Sequence, residues 1–485
     1  MASLKRQGLT AFSWDFASKL LLTFVNLLVS VILARLLPPE LFGEMALVMA
    51  FVAVSQIFMD VGLSSAVIQR RRLHPGHLDS VFMFNLAAGA FLGLLTFTAA
   101  PLIAGFYAVP ELEPLLRVLS VLFVLYALTG VQNALLRKAL RFDLLAKVSV
   151  AAIVAGGAAG IGLALGGAGV WSLAGQILTQ AAVTAALLWF AGGWRPGMRA
   201  SFKALRQLWG FGFRLFLTAL LETVSQRLDA MIIGRYFPLS TLGFYNRAKG
   251  LDSMIVGFSS GTLMRVLFPL LSRVQNRLEE FRGIVTEGFH FLLLTVFLLG
   301  GVLFLVSDEL IVGLFGERWE PSAALFRYLI LSSFAYPLGA LLTNVLSSRG
   351  RSAELLRLEV LKKTVIAANL SLLLFFGIET FLLGLAGVAL LTTWLNMRYA
   401  AREMGMPVKA FVSPFALQVI LTAGSVWAAW RIAAFFHGGL FLTAAAKASL
   451  FVPLYFGLNF LLRTGASKTV RKAWELVRRR GGGKG

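Results

Sequence analysis

Long apolar stretches recur along the whole chain, and no other feature limits its fold so strongly. The sequence has fourteen of them, at 11–35, 42–67, 80–107, 114–135, 146–166, 169–191, 209–234, 242–270, 285–307, 322–346, 356–376, 379–397, 411–433 and 439–462. A helix that crosses a bilayer needs roughly 20 apolar residues. A chain with 58% hydrophobic and only 14% charged residues is too apolar for a soluble core. We therefore predict an all-α polytopic membrane protein with about 14 transmembrane helices.

Basic residues are concentrated in alternate connections between these stretches. The even-numbered connections carry them, as at 70–72 and 137–141, whereas the odd-numbered ones hold carboxylates such as Glu40, Glu111 and Glu309. Because Lys and Arg stay on the cytoplasmic side of a membrane, this alternation predicts that both termini are cytoplasmic and that the number of spans is even. The net charge of +22 is then explained by membrane orientation, and no nucleic-acid partner is predicted.

The two ends of the chain fit the same interpretation. The first stretch follows only Lys5 and Arg6 and ends without a small-x-small cleavage pattern, so we interpret it as the first span and not as a signal peptide. The tail at 463–485 is rich in Lys and Arg and is predicted to lie on anionic lipid headgroups. The absence of Cys excludes disulfides and thiolate metal sites.

A short internal repeat indicates duplication. Residues 32–43 match residues 232–243 without a gap, and the match pairs Arg35 with Arg235 and Gly43 with Gly243. The offset of 200 residues spans six helices, so helix 7 repeats helix 1 in the same orientation. This predicts two six-helix lobes related by a pseudo-twofold axis along the membrane normal, plus two C-terminal helices. Ordinary turn chemistry at a helix end is the alternative, but equal spacing in both halves favours duplication.

The repeat also sets the predicted domain boundaries. They are an N-lobe at 1–206, a C-lobe at 207–405, two extra helices at 406–462 and a basic cytoplasmic tail at 463–485.

Polar residues follow one face of helix 1 and one face of helix 7. They recur at steps of three and four residues, which is the helical repeat. The members are Asp15, Lys19, Thr23, Asn26 and Ser30 on helix 1, and Arg214, Thr218, Glu222, Gln226 and Asp229 on helix 7. Because ionisable groups are costly in lipid, we predict that both stripes face a shared polar cavity. Packing against neighbouring helices is the alternative.

Basic residues of the seventh and eighth helices are candidates for binding an anionic substrate. Arg holds phosphate oxygens through paired, charge-assisted hydrogen bonds. We predict that Arg214 and Arg265 lie near the cytoplasmic side of the path and that Arg227, Arg247 and Lys249 lie further along it. Snorkelling to the membrane surface is the alternative for each. The predicted substrate-binding set also includes Lys19, Asn26, Gln226 and Tyr245, the last as a ring for stacking on sugar.

Carboxylates within the spans are candidates for coupling to H⁺ or Na⁺, because an acid in a cavity can take up a proton or help to coordinate a cation. Glu222, near the middle of its span, ranks first, followed by Asp252, Asp15 and Asp60. An internal salt bridge is the alternative, for example between Asp15 and Lys19. We predict no cofactor or metal, since the four histidines lack metal-binding spacing and no Gly-rich phosphate loop is present.

Several motifs along the chain resemble those of a known family. They are 60–69 (DVGLSSAVIQ), 140–143 (LRFD), 167–172 (GAGVWS), 194–196 (WRP), 227–229 (RLD), 232–235 (IIGR), 242–248 (LGFYNRA) and 268–269 (FP). Their order and spacing resemble the polysaccharide-exporter branch of the multidrug/oligosaccharidyl-lipid/polysaccharide flippase superfamily, near the colanic-acid and O-antigen flippases. The likeness covers roughly residues 10–350, and the last four helices match only in length and number. It implies alternating access and a lipid-linked oligosaccharide as cargo.

Together these features predict a flippase that moves an undecaprenyl-pyrophosphate-linked oligosaccharide from the inner to the outer leaflet of the cell inner membrane. The identity of the lipid comes from the resemblance alone. No covalent bond would change, so we predict a transporter and not an enzyme, and we expect a monomer. The predicted partners are the lipid-linked oligosaccharide and membrane lipids, with a polysaccharide polymerase and glycosyltransferases as further candidates.

Two other functions compete with this prediction. A cation-coupled multidrug exporter would have a predominantly acidic cavity, whereas the candidate residues here are mainly basic. A membrane-embedded glycan polymerase or ligase would need a sizeable outer loop or a cluster of catalytic carboxylates. The longest outer connection, at 308–321, has only about fourteen residues.

Overall fold

The computed structural model describes residues 20–70, 73–197, 201–436, 438–465 and 467–468, and for residues 211, 214, 255–269 and 352 only the backbone. Within these ranges the chain is helical and contains no strand. The helices are α1 (Leu20–Leu36), α2 (Pro39–Asp60), α3 (Leu63–Gln69), α4 (Pro75–Tyr107), α5 (Leu112–Leu119), α6 (Val121–Lys138), α7 (Phe142–Leu165), α8 (Trp171–Ala191), α9 (Phe202–Tyr236), α10 (Leu239–Val274), α11 (Leu278–Leu305), α12 (Ser307–Phe315), α13 (Glu320–Ser333), α14 (Ala335–Ser348), α15 (Ser352–Met404), α16 (Lys409–Ala433) and α17 (Leu440–Leu461). A short 3-10 helix, Glu317–Trp319, precedes α13.

The predicted polytopic α-helical fold is confirmed. The described residues of the fourteen apolar stretches are mainly helical, and ten helical segments of the described chain are long and apolar enough to cross a membrane. Helices α9 and α10 have 35 and 36 residues and are outside that group of ten. The number of spans and the symmetry of the lobes therefore stay predictions.

The long helix α15 is interrupted at one glycine. Gly377 has φ 86° and ψ 179°, which is outside the helical region and is accessible mainly to glycine. This break lies between the predicted spans 356–376 and 379–397. The sequence therefore located two helical segments where the backbone is broken by a single residue.

The contacts of the chain form two compact units, 1–246 and 247–485. In the first unit, the buried core includes Leu63, Val81, Phe82 and Val131. Helix α9 packs against α2, α3 and α4 of this unit. The predicted boundary at 206 comes from the sequence repeat, whereas the boundary at 246 comes from contacts within the chain. The two boundaries describe different properties, so the lobe boundaries stay a prediction.

The second unit has its own core, where α11, α14, α15 and α16 meet. Phe281, Phe289, Leu342, Met397 and Phe411 are almost completely buried there. The last two helices, α16 and α17, are joined to each other by a buried polar network. The Tyr455 hydroxyl donates to Gln418 Oε1 at 2.7 Å, and the Gln418 side-chain amide donates to Asn459 Oδ1 at 2.6 Å. Buried polar groups that satisfy one another in this way fix how helices pack.

Candidate functional site

Helices α2 and α9 approach each other closely at several levels of the first unit. Gly62 lies against the backbone of Gly212, Gly234 lies against the side chain of Leu47, and the rings of Phe58 and Phe216 are 5.3 Å apart. Residue numbers rise along one helix as they fall along the other, so the two helices run antiparallel. Small residues at such positions allow helix backbones to come close inside a membrane.

The two copies of the sequence repeat meet at the end of this helix pair. We call residues 37–43 and 237–243 the repeat turns. A methyl group added at Gly43 would collide with the carbonyl oxygen of Leu239, and one added at Gly243 would collide with the carbonyl oxygen of Pro39. Because Pro39 and Leu239 are equivalent positions, the contact is reciprocal, as across a two-fold axis. The contact is local to the two turns, and the symmetry of the lobes stays a prediction.

The polar stripe of α9 is partly visible in the structure. Gln226 donates from Nε2 to Glu222 Oε1 at 2.7 Å, and both residues are exposed at the protein surface. On α1, Asn26 is exposed and donates to the carbonyl oxygen of Leu22 at 3.0 Å. Asp15 and Lys19 lie outside the described residues, as do the side chains of Arg214 and Arg265. Roles in a shared polar cavity stay predictions for all of them.

Tyr245 is buried in this structure. Its side chain is only 1% exposed, and its hydroxyl donates to Asp229 Oδ2 at 2.5 Å. Asp229 also accepts a hydrogen bond from the backbone N–H of Ala230 at 2.7 Å. Protein therefore covers the ring in this conformation, and stacking on a sugar would require it to become uncovered.

Arg247 is held by aromatic rings. Its guanidinium lies 4.8 Å from the ring centre of Phe315 and 5.1 Å from that of Trp319, and both rings are almost completely buried. Stacking of this kind suits the flat guanidinium of Arg better than the ammonium of Lys. Arg227 is exposed and Lys249 is partly buried, and substrate contact stays a prediction for all three residues.

We expect Arg247→Ala to reduce the free energy of unfolding by about 1–2 kcal/mol, because it removes a partly desolvated cation–π pair and the packing of the side-chain stem. Thermal unfolding in detergent measures this effect. Arg235→Ala is the matched control, because Arg235 stacks on the largely exposed rings of Phe106 and Tyr236. Equal shifts in melting temperature for the two variants would contradict the expected contribution of the buried rings.

A cavity of about 700 Å³ lies within the second unit, where helices α10 to α17 contribute to its walls. Most of its lining is apolar, including Phe297, Leu303, Ile330 and Trp427. Asp252 also lines it and accepts a hydrogen bond from the Ser333 hydroxyl. The cavity is therefore suited to an apolar chain with a small number of polar contacts.

Charged side chains gather at the start of α12, beside this cavity. Arg327 pairs with Asp308 and donates from Nε to the Ser307 hydroxyl at 2.8 Å. Lys447, from α17, pairs with Glu309 at 2.6 Å, and these two side chains are only 13% and 9% exposed. Asp308, Arg327 and Lys447 all line the cavity. One region of an otherwise apolar cavity therefore carries both signs of charge.

Asp60 ends α2 and organises the start of α3. The chain turns there through Val61 and Gly62, with φ 45° and 74°. Asp60 Oδ1 accepts hydrogen bonds from the Ser64 backbone N–H at 3.1 Å, from the Ser64 hydroxyl at 2.5 Å and from Asn85 Nδ2 at 3.3 Å. These are the contacts of a helix-capping residue. A role in coupling stays a prediction for Asp60.

Two ionisable residues within the apolar helices were absent from the predicted site. Lys447 lies in α17, and Glu44 lies in α2, where it is 8% exposed. The sequence carried a signal for both, because a single ionisable residue in an apolar span indicates a functional or paired group. Among the described residues, no group of three or more His, Asp or Glu side chains could hold a metal ion.

Comparison with known proteins places these features in context. A family model described as polysaccharide biosynthesis protein matches residues 32–324, which is more than half of the chain. The chain is 25% identical to the teichuronic acid biosynthesis protein TuaB of Bacillus subtilis (strain 168), over 73% of each protein. It is also 25% identical to the lipopolysaccharide biosynthesis protein WzxC of Escherichia coli (strain K12), over 70% of each.

A solved structure, the lipid II flippase MurJ in an inward closed conformation, has a similar fold. The TM-score is 0.74 with 13% sequence identity, and the likeness covers 93% of this chain and 98% of that one. At this identity the likeness establishes the fold alone. The predicted resemblance to polysaccharide exporters is confirmed by the family model and the relatives.

Proposed function

The chain belongs to the polysaccharide biosynthesis protein family, and on that premise we propose that it is a flippase for a lipid-linked oligosaccharide. It is a multi-pass membrane protein with a transporter fold. In the proposed function, it carries an undecaprenyl-pyrophosphate-linked oligosaccharide from the cytoplasmic to the outer leaflet of the inner membrane. Both termini lie in the cytoplasm, and the lobes alternate in exposing the path to either side.

The cavity of the second unit is the observation that carries this proposal. A lipid-linked sugar has a long apolar chain and a charged, hydrogen-bonding head. The cavity offers about 700 Å³ with mainly apolar walls, and Asp308, Arg327 and Lys447 line one region of it. Apolar walls suit the lipid chain, and the cations are of the kind that binds phosphate oxygens. The predicted substrate-binding residues Arg227, Arg247 and Lys249 are also cations, which is the sign of charge that a pyrophosphate head requires.

The relatives support the polysaccharide part of the proposal. TuaB belongs by its name to teichuronic acid biosynthesis and WzxC to lipopolysaccharide biosynthesis, and MurJ, which shares the fold, is a flippase for lipid II. The names of TuaB and WzxC therefore support a polysaccharide precursor as the cargo, and the likeness to MurJ supports the fold that the proposal requires. Multidrug export, the alternative, has less support because the family model matches the polysaccharide proteins.

We expect purified protein in lipid vesicles to move a fluorescent lipid-pyrophosphate oligosaccharide between leaflets. Addition of a membrane-impermeant quencher measures the leaflet distribution, and vesicles without protein are the control. Protein-dependent loss of the inner-leaflet pool supports flipping, and acceleration by a pH gradient would identify H⁺ as the coupling ion. Transport of a cationic dye, with no movement of glycolipids that carry several different sugars, would favour multidrug export. Formation of a new glycosidic bond would instead identify an enzyme.

A further inference from the structure

We propose that Glu44 binds a proton, and that the protonated side chain keeps the two repeat turns in contact. Glu44 follows Gly43 directly in α2, so its backbone adjoins the reciprocal contact between the turns. Any effect of this proton on transport rests on the proposed function. The contact itself is a property of the protein without cargo, and it can be measured separately.

The first step is the burial of Glu44. Its side chain is 8% exposed, and the oxygen Oε2 is fully enclosed without a hydrogen-bond partner. The next residues of α2, from Met45 to Val48, are buried as well. An ionised carboxylate that is taken out of water without a partner is very costly, whereas a neutral carboxylic acid is tolerated far better. The surroundings of Glu44 in this structure therefore suit the protonated form.

The second step is the charge around Glu44. Charged residues close to Glu44 in the chain, or on and beside the helices α5 and α9 that pack against α2, include Arg35, Glu40, Glu111, Glu113, Arg117, Asp229 and Arg235. Glu40 and Glu111 act electrostatically on Glu44, and both are negative. Among the cations, Arg117 pairs with Glu113 at 2.8 Å and Arg235 stacks on Phe106.

No described cation forms an ion pair with Glu44, so a proton is the simplest way to neutralise it.

The third step links the proton to the conformation. An ionised Glu44 would need water at both carboxylate oxygens, whereas Oε2 is enclosed in this structure. The start of α2 carries both Gly43 and Glu44, so a movement of this segment that brings water to Oε2 would also separate the repeat turns. A ligand that binds one conformation better than the other shifts the population toward the first. Proton binding to Glu44 therefore favours the closed contact, and loss of the proton favours separation.

The absence of natural cysteines makes the contact straightforward to measure. Leu36 and Tyr236 are equivalent in the repeat, end α1 and α9 beside the turns, and are 38% and 66% exposed. We would label Leu36→Cys/Tyr236→Cys with nitroxides and measure their distance by pulsed electron paramagnetic resonance. The full-length protein in lipid nanodiscs, without cargo, would be examined from acidic to alkaline pH.

We expect a short distance at acidic pH and a longer one whose population rises several-fold with pH. Glu44→Gln imitates the neutral acid and should keep the short distance at every pH. Glu40→Gln, an exposed position in the first turn of the same helix, is the matched control and should keep the pH response. The proposal would be overturned if Glu44→Gln showed the same pH response as the labelled protein with natural Glu44. It would also be overturned if the labelled protein with natural Glu44 showed no pH response.

The second measurement separates this proposal from the proposed function. If the distance responds to pH through Glu44 but no glycolipid moves in vesicles, the proton site stands and the cargo is wrong. If glycolipid moves and Glu44→Gln leaves both the distance and its pH response unchanged, the flippase stands and the proton site is wrong. Glu44→Asp, which can still bind a proton, should retain a pH response and shows whether loss in Glu44→Gln reflects titration and not damage to folding.

Discussion

Lys447→Ala should be strongly destabilising, with a loss of about 3–5 kcal/mol in the free energy of unfolding. The substitution removes the only cation recorded in contact with the Glu309 carboxylate among the described residues, and that carboxylate is 9% exposed. Its Oε2 atom is already buried without a hydrogen-bond partner. Removing one member of a buried pair leaves an uncompensated charge, and this costs much more than the pair contributes while it is intact. Thermal or denaturant unfolding in detergent micelles measures the loss.

A double substitution provides the decisive control for Lys447. Lys447→Met with Glu309→Gln removes both charges and keeps similar volumes, so most of the lost stability should return. Arg277→Ala is a control for ion pairs as such, because Arg277 and Glu280 form an exposed pair with 77% and 49% of their side chains accessible. Its effect should stay below about 1 kcal/mol. If the single Lys447 variant were as stable as the double variant, burial of an unpaired Glu309 would not be the cause.

The helices were predictable from sequence because each of their signals is local. An apolar stretch of sufficient length has few alternatives to a helix in a membrane, and Gly377 breaks α15 between two predicted spans. The repeat also predicted that positions 43 and 243 are equivalent, and the structure places both glycines against the partner turn. Turn residues and spacing therefore carried information about tertiary contacts as well.

The side-chain environments were less predictable because they depend on residues distant in the sequence. Arg247 lies over Phe315 and Trp319, and nothing in the spacing of α10 indicates these rings. Helical periodicity placed Gln226 and Asp229 on one face of α9. It could not show that Asp229 accepts a hydrogen bond from Tyr245, which belongs to the next helix. Periodicity defines a face, whereas the partner of that face follows from packing.

Glu44 and Lys447 were missed for a different reason. Both lie within about the first two turns of a helix, from which a long charged side chain is often expected to reach the membrane surface. The structure shows instead that protein surrounds them, since Glu44 is 8% exposed and the Lys447 side chain is 13% exposed. Position along a span is therefore a poor guide to burial when neighbouring helices cover the end of that span.

Gly243→Ala should open the contact between the repeat turns, although it adds only one methyl group. That methyl group would collide with the carbonyl oxygen of Pro39, and a backbone atom cannot move aside as the end of a flexible side chain can. Overpacking of this kind costs typically about 1–3 kcal/mol, which corresponds to roughly a 5- to 150-fold change in the ratio of closed to open protein. The distance between labels at Leu36→Cys and Tyr236→Cys should therefore be long even at acidic pH.

Gly250→Ala in the same helix is the matched control for Gly243. An added methyl group at Gly250 meets no atom within 4 Å, so this variant should keep the short distance and be slightly more stable, because Ala favours a helix over Gly by up to about 1 kcal/mol. Gly43→Ala tests the reciprocal half of the contact, where the methyl group would meet the carbonyl oxygen of Leu239. Equivalent opening by Gly43→Ala and Gly243→Ala is expected if the turns meet reciprocally. A short distance in both variants would mean that the close approach of the turns does not control opening.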